Sequence, residues 1–248
     1  MKYVNPGGKK SLLFEDALKQ YHLLIAGATG SGKSVIVNNL IYTGLFKSPA
    51  QIQFVLIDPK RVELVRYKDI PHTLVYASEH ADIINALQYA MQICDSRYKE
   101  MQKYSLRKYN GSHIYVIIDE YADLITTNKK QIEPLIRRLC QVGRAANIHC
   151  IICTQSPIRE IINTTVKCNI DSRFGLRTRS AQDSRNIIGK SGLETLPKYG
   201  QAYYMTPDTE QLYNINMIDD YELDKRVKWW TNQKTFIGRW KTGRLAGL

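Results

Sequence analysis

Gly27-Ala28-Thr29-Gly30-Ser31-Gly32-Lys33-Ser34 is the stretch whose reading decides the fold. It lies between an apolar run, Leu23-Leu24-Ile25-Ala26, and an amphipathic one from Val35 to Ile41. That is the setting in which a buried strand turns through a glycine-rich loop into a helix. The glycines let the backbone curl so that successive N–H groups point inward at the positive end of the helix, with no Cβ to block a phosphate. Lys33 supplies a mobile positive charge for the β- and γ-phosphates of a nucleotide, and the Ser34 hydroxyl is placed to ligate Mg²⁺. A plain glycine turn accounts for Gly27 or Gly30 alone and leaves Gly32-Lys33-Ser34 without a reason.

Working outward, 248 residues suffice for one sizeable α/β domain with a full core and short appendages. The formal charge of +12 points toward a polyanionic partner without identifying one. No apolar run approaches the roughly 20 residues of a membrane-spanning helix, and Asn5 to Lys10 does not read as a secretory signal, so a cytoplasmic protein is expected. Five cysteines and no such signal argue against a disulfide framework. Cys150 and Cys153 fall within a strand-like run, where an offset of three sends them to opposite faces, so they are expected in the core, as is His149.

The remaining apolar runs continue the strand and helix alternation. A short strand is expected near Leu12 to Phe14, with Asp16 to Gln20 as a connector, and strand one is Leu23 to Ala26. The helix after the loop runs from Lys33 to about Thr43, where Gly44 ends it. Ile52 to Asp58 reads as strand two; Asp58, at its carboxyl end, and Lys60 and Glu63 are candidates to line a site. Ala81, Ile84, Leu87, Met91, Tyr98 and Met101 recur at helical spacing within a long helix from Glu79 to about Tyr104. Strand three, Ile114 to Glu120, ends in two carboxylates. Asp119 can hold Mg²⁺ through water, and Glu120 can orient and deprotonate an attacking water. A helix is read within Lys129 to Val142, beginning near Pro134. Strand four is Cys150 to Thr154, with Gln155 at its tip able to bond a γ-phosphate or the poised water, and strand five is about Ile170 to Leu176. Gln201 to Tyr204 and Gln211 to Asn216 form a terminal strand pair.

Several short motifs recur in a telling order: Leu23 to Ser34, Leu56-Ile57-Asp58-Pro59-Lys60, Val62-Glu63-Leu64, Ile70-Pro71-His72, Asp119 to Leu124, Arg144 to His149, Thr154-Gln155 and Asp183-Ser184-Arg185. Together they resemble the FtsK/SpoIIIE DNA translocase motors over roughly Phe14 to Met217. The resemblance implies a RecA-like P-loop ATPase fold, a mainly parallel sheet of order 5-1-4-3-2 flanked by helices. It also implies a homo-oligomeric ring, a hexamer, with ATP and Mg²⁺ at subunit interfaces and duplex DNA in the channel. Carried over, Gly27, Ala28, Thr29, Gly30, Ser31, Gly32, Lys33 and Ser34 bind nucleotide, Ser34 and Asp119 serve the metal, Glu120 is the base and Gln155 the sensor. Arg144 matches the arginine that reaches a neighbouring subunit's nucleotide. Such a finger is worth about 10³ to 10⁵ in rate, roughly 4 to 7 kcal/mol of barrier, so a lone subunit is expected to be nearly inactive.

Lys167 and Arg185 match channel-facing positions of the family, and Arg159 is a nearby candidate for DNA phosphates. Where the family commonly has Thr-Gln-Arg-Pro, this chain reads Thr154-Gln155-Ser156-Pro157, so that contact is lost unless Arg159 replaces it. The motor is expected over residues 1–217, followed by a basic, aromatic tail over 218–248. Lys225 to Leu248 carry seven Lys or Arg, no acid, and Trp229, Trp230, Phe236 and Trp240. Such a tail can grip nucleic acid or dock on its own or a neighbouring subunit. The expected activity is ATP hydrolysis coupled to DNA movement, in mobile-element transfer or packaging because the full-length family's membrane segment and winged-helix module have no counterpart in this sequence. A protein-secretion ATPase of related fold and a motor on single-stranded DNA are the alternatives.

Overall fold

The apolar runs flanking the phosphate-loop sequence become the centre of one mixed sheet, because their side chains are buried on both faces. The computed structural model describes residues 2–4, 12–158, 160–161 and 169–233. Its strands are β1 (Lys2–Val4), β2 (His22–Ala26), β3 (Ile52–Ile57), β4 (Thr73–Ala77), β5 (His113–Ile118), β6 (Ile148–Thr154), β7 (Ser172–Gly175), β8 (Gln201–Met205) and β9 (Glu210–Ile215). They form a nine-stranded sheet in the order β1-β9-β8-β7-β2-β6-β5-β3-β4. The segment β7-β2-β6-β5-β3 is parallel and is the expected 5-1-4-3-2 arrangement. The expected terminal pair is β8 and β9, antiparallel to each other, with β8 antiparallel to β7.

Successive strand residues alternate between two cores. Leu24, Val55, Val116, Cys150 and Ile152 face one layer, where α3 (His80–Lys103), α4 (Tyr121–Val142) and α5 (Ala181–Ile188) pack. Leu23, Ile25, Phe54, Tyr115 and Cys153 face the other, covered by α1 (Leu12–Lys19), α2 (Lys33–Gly44) and α6 (Asp220–Asn232). The two thiols of the CxxC therefore part to opposite cores, as their spacing on a strand requires.

Three local expectations are corrected. Leu12 to Phe14 is the first turn of α1, not a strand, and Asp16 to Lys19 continue it. Leu13, Phe14, Ala17 and Leu18 make one buried helical face, a period too short to recognise from an apolar triplet. The helix placed near Pro134 begins at Tyr121. It is broken at Asn128 (φ −151°, ψ 64°), whose side-chain oxygen accepts from the Gln131 amide at 3.3 Å and so restarts the helix. Strands β1 and β4, at the sheet's two edges, were not anticipated.

Helix α6 docks on its own chain. Leu223 is buried, the Trp230 indole donates to the Leu45 carbonyl at 2.9 Å, and Arg66 pairs with Asp220 and Asp224. Residues 234–248 of the basic tail lie outside the described residues. Among the described residues no helix is long and apolar enough to cross a membrane.

Candidate functional site

The carboxyl ends of β2, β5 and β6 meet at one point, and the loops leaving them carry most of the residues expected to act. Between β2 and α2, Gly30 (φ 72°) and Gly32 (φ 99°) adopt the left-handed backbone that turns the chain back onto the helix start. Gly27 is fixed by crowding, since a Cβ there would sit 2.6 Å from the Leu176 Cβ and 3.1 Å from the Arg177 carbonyl. The Ala28 amide donates to that same carbonyl at 2.8 Å, tying the loop to the end of β7. Lys33 and Ser31 are buried within the loop, whereas Thr29 and Gly30 face solvent.

Asp119 follows β5 and is 6% exposed. Burial pushes its carboxyl up to about 6, with Asp58, Glu63 and Glu120 adding to the rise and the Lys33 ammonium opposing it. A spot this crowded with carboxylates suits a divalent cation. The Asp119 carboxylate and the Ser34 hydroxyl, both hard oxygen donors, can hold Mg²⁺ there.

Glu120 is 2% exposed and held by neighbours from β6. Its Oε1 accepts from the Thr154 hydroxyl at 2.9 Å, the Gln155 amide at 3.1 Å and the Ala122 amide at 3.4 Å. Its Oε2 shares the Gln155 amide at 3.1 Å and faces the Lys60 ammonium at 3.8 Å. Oε1 is thus saturated, and Oε2 is the oxygen with a lone pair left for a water proton. The Gln155 side chain reaches back over the phosphate loop, where its Oε1 accepts from the Thr29 hydroxyl at 2.7 Å. One short chain of contacts therefore joins loop, Gln155 and Glu120.

Of the three candidates after β3, each takes a different part. Asp58 is fully buried; its Oδ2 accepts from the Leu64 amide at 2.9 Å and shapes the loop, while its charge acts on Asp119 and its Oδ1 has no hydrogen-bond partner among the described residues. Lys60 bridges Glu120 and Asp123, the latter at 3.3 Å. Glu63 lines a cleft of about 300 Å³ in front of Ser34, together with Asn38, Val62 and Met217. The Thr154 hydroxyl and the Lys60 ammonium are the partners of Glu120 that sequence reading missed. Thr154 precedes Gln155 at the carboxyl end of a strand of uniformly buried residues, where a hydroxyl asks for a partner.

Arg144 is not brought to this site. It precedes β6, and Tyr21, on which it rests, lies six nearly extended residues before Gly27, about 20 Å at roughly 3.3 Å per residue. Its guanidinium is exposed and lies over the Tyr21 ring, 4.1 Å from the centroid. Arg185 is exposed on α5 and donates to Gln182 at 3.3 Å. Arg159 and Lys167 lie outside the described residues.

Among the described residues one other cluster has metal-ligand residue types: His22, Cys140 and Cys150, all buried. The His22 Nδ1 accepts from the Cys150 amide at 3.0 Å, which places the ring proton on Nε2 and leaves the neutral imidazole no lone pair for a metal. Burial holds His22 down at about 4, and a hydrogen bond with the Cys140 thiol, with burial added, holds the Cys150 thiol well above its ordinary range. The cluster reads as core.

The sequence profile of the FtsK/SpoIIIE family matches residues 5–113 and 109–158. DNA translocase FtsK of Pseudomonas syringae pv. tomato is 35% identical over 263 aligned residues, which cover 90% of this chain and 33% of that protein. The chain thus spans about a third of that relative's length. Among solved structures, the pCW3 conjugation coupling protein TcpA, in its monomer form with ATPγS, aligns with a TM-score of 0.74 at 23% identity, over 86% of this chain and 66% of that one. The cytoplasmic domain of the type VII secretion ATPase EccC of Thermomonospora curvata aligns with a TM-score of 0.71 at 19% identity, over 85% of this chain and 28% of that one. At these identities the two structures speak for the fold alone.

Proposed function

Because the chain belongs to the FtsK/SpoIIIE family, we propose that it is the motor unit of an ATP-driven DNA translocase, working as a ring of identical copies, a hexamer, around duplex DNA. The observation that carries this reading is the division of the site between the two ends of the sheet. Loop, Asp119, Glu120 and Gln155 converge at one end, and Arg144 stands exposed at the other. An arginine about 20 Å from its own phosphate loop is out of reach of its own nucleotide, which supports a role at another copy's.

In this reading the loop amides and Lys33 grip the ATP phosphates, and the cleft before Ser34 takes the ribose and base. Ser34 and Asp119 would hold Mg²⁺, which would supply charge neutralisation at the phosphates. Glu120 Oε2 takes the proton of the attacking water, and Gln155 registers the γ-phosphate because the Thr29 hydroxyl links it to the loop. Residues 1–217 form the motor and 218–248 an appendage, whose helix α6 rests on α2 in support of a docking role. Arg185, Arg159 and Lys167 are assigned to DNA phosphates, and the protein to the cytoplasm.

The test is the ATPase rate with duplex DNA, single-stranded DNA or no polynucleotide, across a salt series. Stimulation by duplex DNA that falls steeply with salt is expected, because phosphate contacts release counterions. A rate indifferent to every polynucleotide refutes the assignment, and stimulation by a peptide alone replaces it with a secretion ATPase.

A further inference from the structure

The geometry points to Tyr21 as the positioning residue for Arg144, a seat that aims the guanidinium at the nucleotide of the next copy. This rests on the reading of Arg144 as a cation acting in trans. The guanidinium carbon lies 4.1 Å from the ring centroid, within range of a cation–π contact. Among the described residues no carboxylate pairs with Arg144. The distinction matters chemically. A carboxylate seat would neutralise the charge and occupy the N–H fork, whereas an aromatic face fixes the plane of the guanidinium and leaves its donors for a phosphate.

The seat is itself anchored. The Tyr21 ring lies parallel to the His149 ring, at 2° and 6.3 Å between centroids. His149 is 2% exposed, its Nδ1 bonds the Gln20 carbonyl at 2.9 Å and the Tyr21 carbonyl at 3.1 Å, and its Nε2 meets His113 Nδ1 at 2.8 Å. On this side of the sheet Tyr115 stacks on His149 at 4.6 Å and donates its hydroxyl to the Leu18 carbonyl at 2.6 Å. Arg144 thus ends a column of rings rooted in the core. Lys108, whose ammonium is 5.5 Å from the same Tyr21 centroid, adds a second positive charge at the seat.

Tyr21 immediately precedes β2 and Arg144 lies just before β6, two strands paired residue for residue from His22↔Cys150 to Ala26↔Thr154. The strands that carry the phosphate loop and Gln155 at one end therefore carry the seat and the finger at the other.

The test compares Tyr21→Leu, Tyr21→Met and Tyr21→Phe in DNA-stimulated hydrolysis. The two aliphatic variants are expected to lower kcat about two- to fivefold, the scale of a lost exposed cation–π contact, with KM for ATP unchanged. Tyr21→Phe, which keeps the ring, retains the rate. Mixing Tyr21→Leu with Lys33→Ala copies, whose own pockets are dead but whose Tyr21 and Arg144 are intact, should raise turnover per competent site toward the unmodified value. A misfolded Tyr21→Leu chain gains nothing from such mixing. Full kcat in the aliphatic variants while Arg144→Ala is inactive overturns the seat and spares the finger. Full activity of Arg144→Ala overturns the trans reading beneath it, and absence of rescue at any ratio by a Tyr21→Leu chain with the unmodified Tm overturns the seat.

Discussion

Replacing Thr154 by Val tests how the candidate base is held. Thr154 is fully buried, and its hydroxyl gives its one proton to Glu120 Oε1 at 2.9 Å while accepting from the Ser156 amide at 3.2 Å. Valine keeps the shape and removes both contacts, so the change isolates what the hydroxyl contributes. A bond to a charged acceptor contributes about 1.5 to 3 kcal/mol, and in a domain of this size each kcal/mol moves Tm by about 2 to 4 °C, so a fall of about 3 to 12 °C is expected. Without that donor Oε1 is no longer saturated, and the carboxylate can rotate and take Oε2 from its aligned position. A loss of about tenfold in kcat at unchanged KM for ATP should accompany the lower Tm, equivalent to about 1.4 kcal/mol of barrier. Thr154→Ser, which restores the donor, should recover both. Differential scanning fluorimetry and a coupled ATPase assay read the two quantities. A lower Tm with wild-type kcat would show that the hydroxyl supports the fold without aiming the base, and no change in either would refute the reasoning.

Two further outcomes follow from the packing and the titrations. Gly27→Ala must push a methyl group into the Leu176 Cβ and the Arg177 carbonyl, at 2.6 and 3.1 Å, so about 1 to 3 kcal/mol of stability and most nucleotide affinity should be lost, as read by urea unfolding and ATP titration. Burial holds His22 and His72 down at about 4 and His149 at about 3, so between pH 6.5 and 4 the unfolded chain binds protons that the folded one refuses, and stability falls on acidification. Asp119, raised to about 6, opposes one of these, and His113, lowered by burial, adds to them, so the net slope near pH 5 still favours loss of stability on acidification. Urea midpoints that stay flat from pH 7 to 5 would contradict it, and His72→Gln should flatten the slope by about one proton.

The central sheet was legible because its strands are apolar on both faces and each ends in a chemically distinctive residue. Leu23 to Ala26 runs into the glycine loop, Ile114 to Ile118 into Asp119 and Glu120, and Cys150 to Thr154 into Gln155. The edges were not. Strand β4 is only half-buried along its middle, and β1 is three residues long, so neither carries a pattern strong enough to announce itself. Helix α1 was lost to an apolar triplet, and the start of α4 was hidden because its cap is Glu120, a residue already spoken for by chemistry. Within the site, residue identities were readable and partnerships were not. Thr154 and Glu120 are 34 positions apart and Thr29 and Gln155 are 126 apart, so only the parallel register of β2, β6 and β5 brings them together. Tyr21 had no motif to mark it, and its meaning comes from the ring beneath it and the guanidinium above.

The shared pocket is tested most directly by mixing Arg144→Ala copies with Lys33→Ala copies and following ATP hydrolysis in the presence of DNA. Each variant alone should be nearly inactive, and hydrolysis should appear in the mixture, where an intact phosphate loop meets an intact arginine. No hydrolysis at any ratio, or full activity of Arg144→Ala by itself, would contradict a site built from two copies.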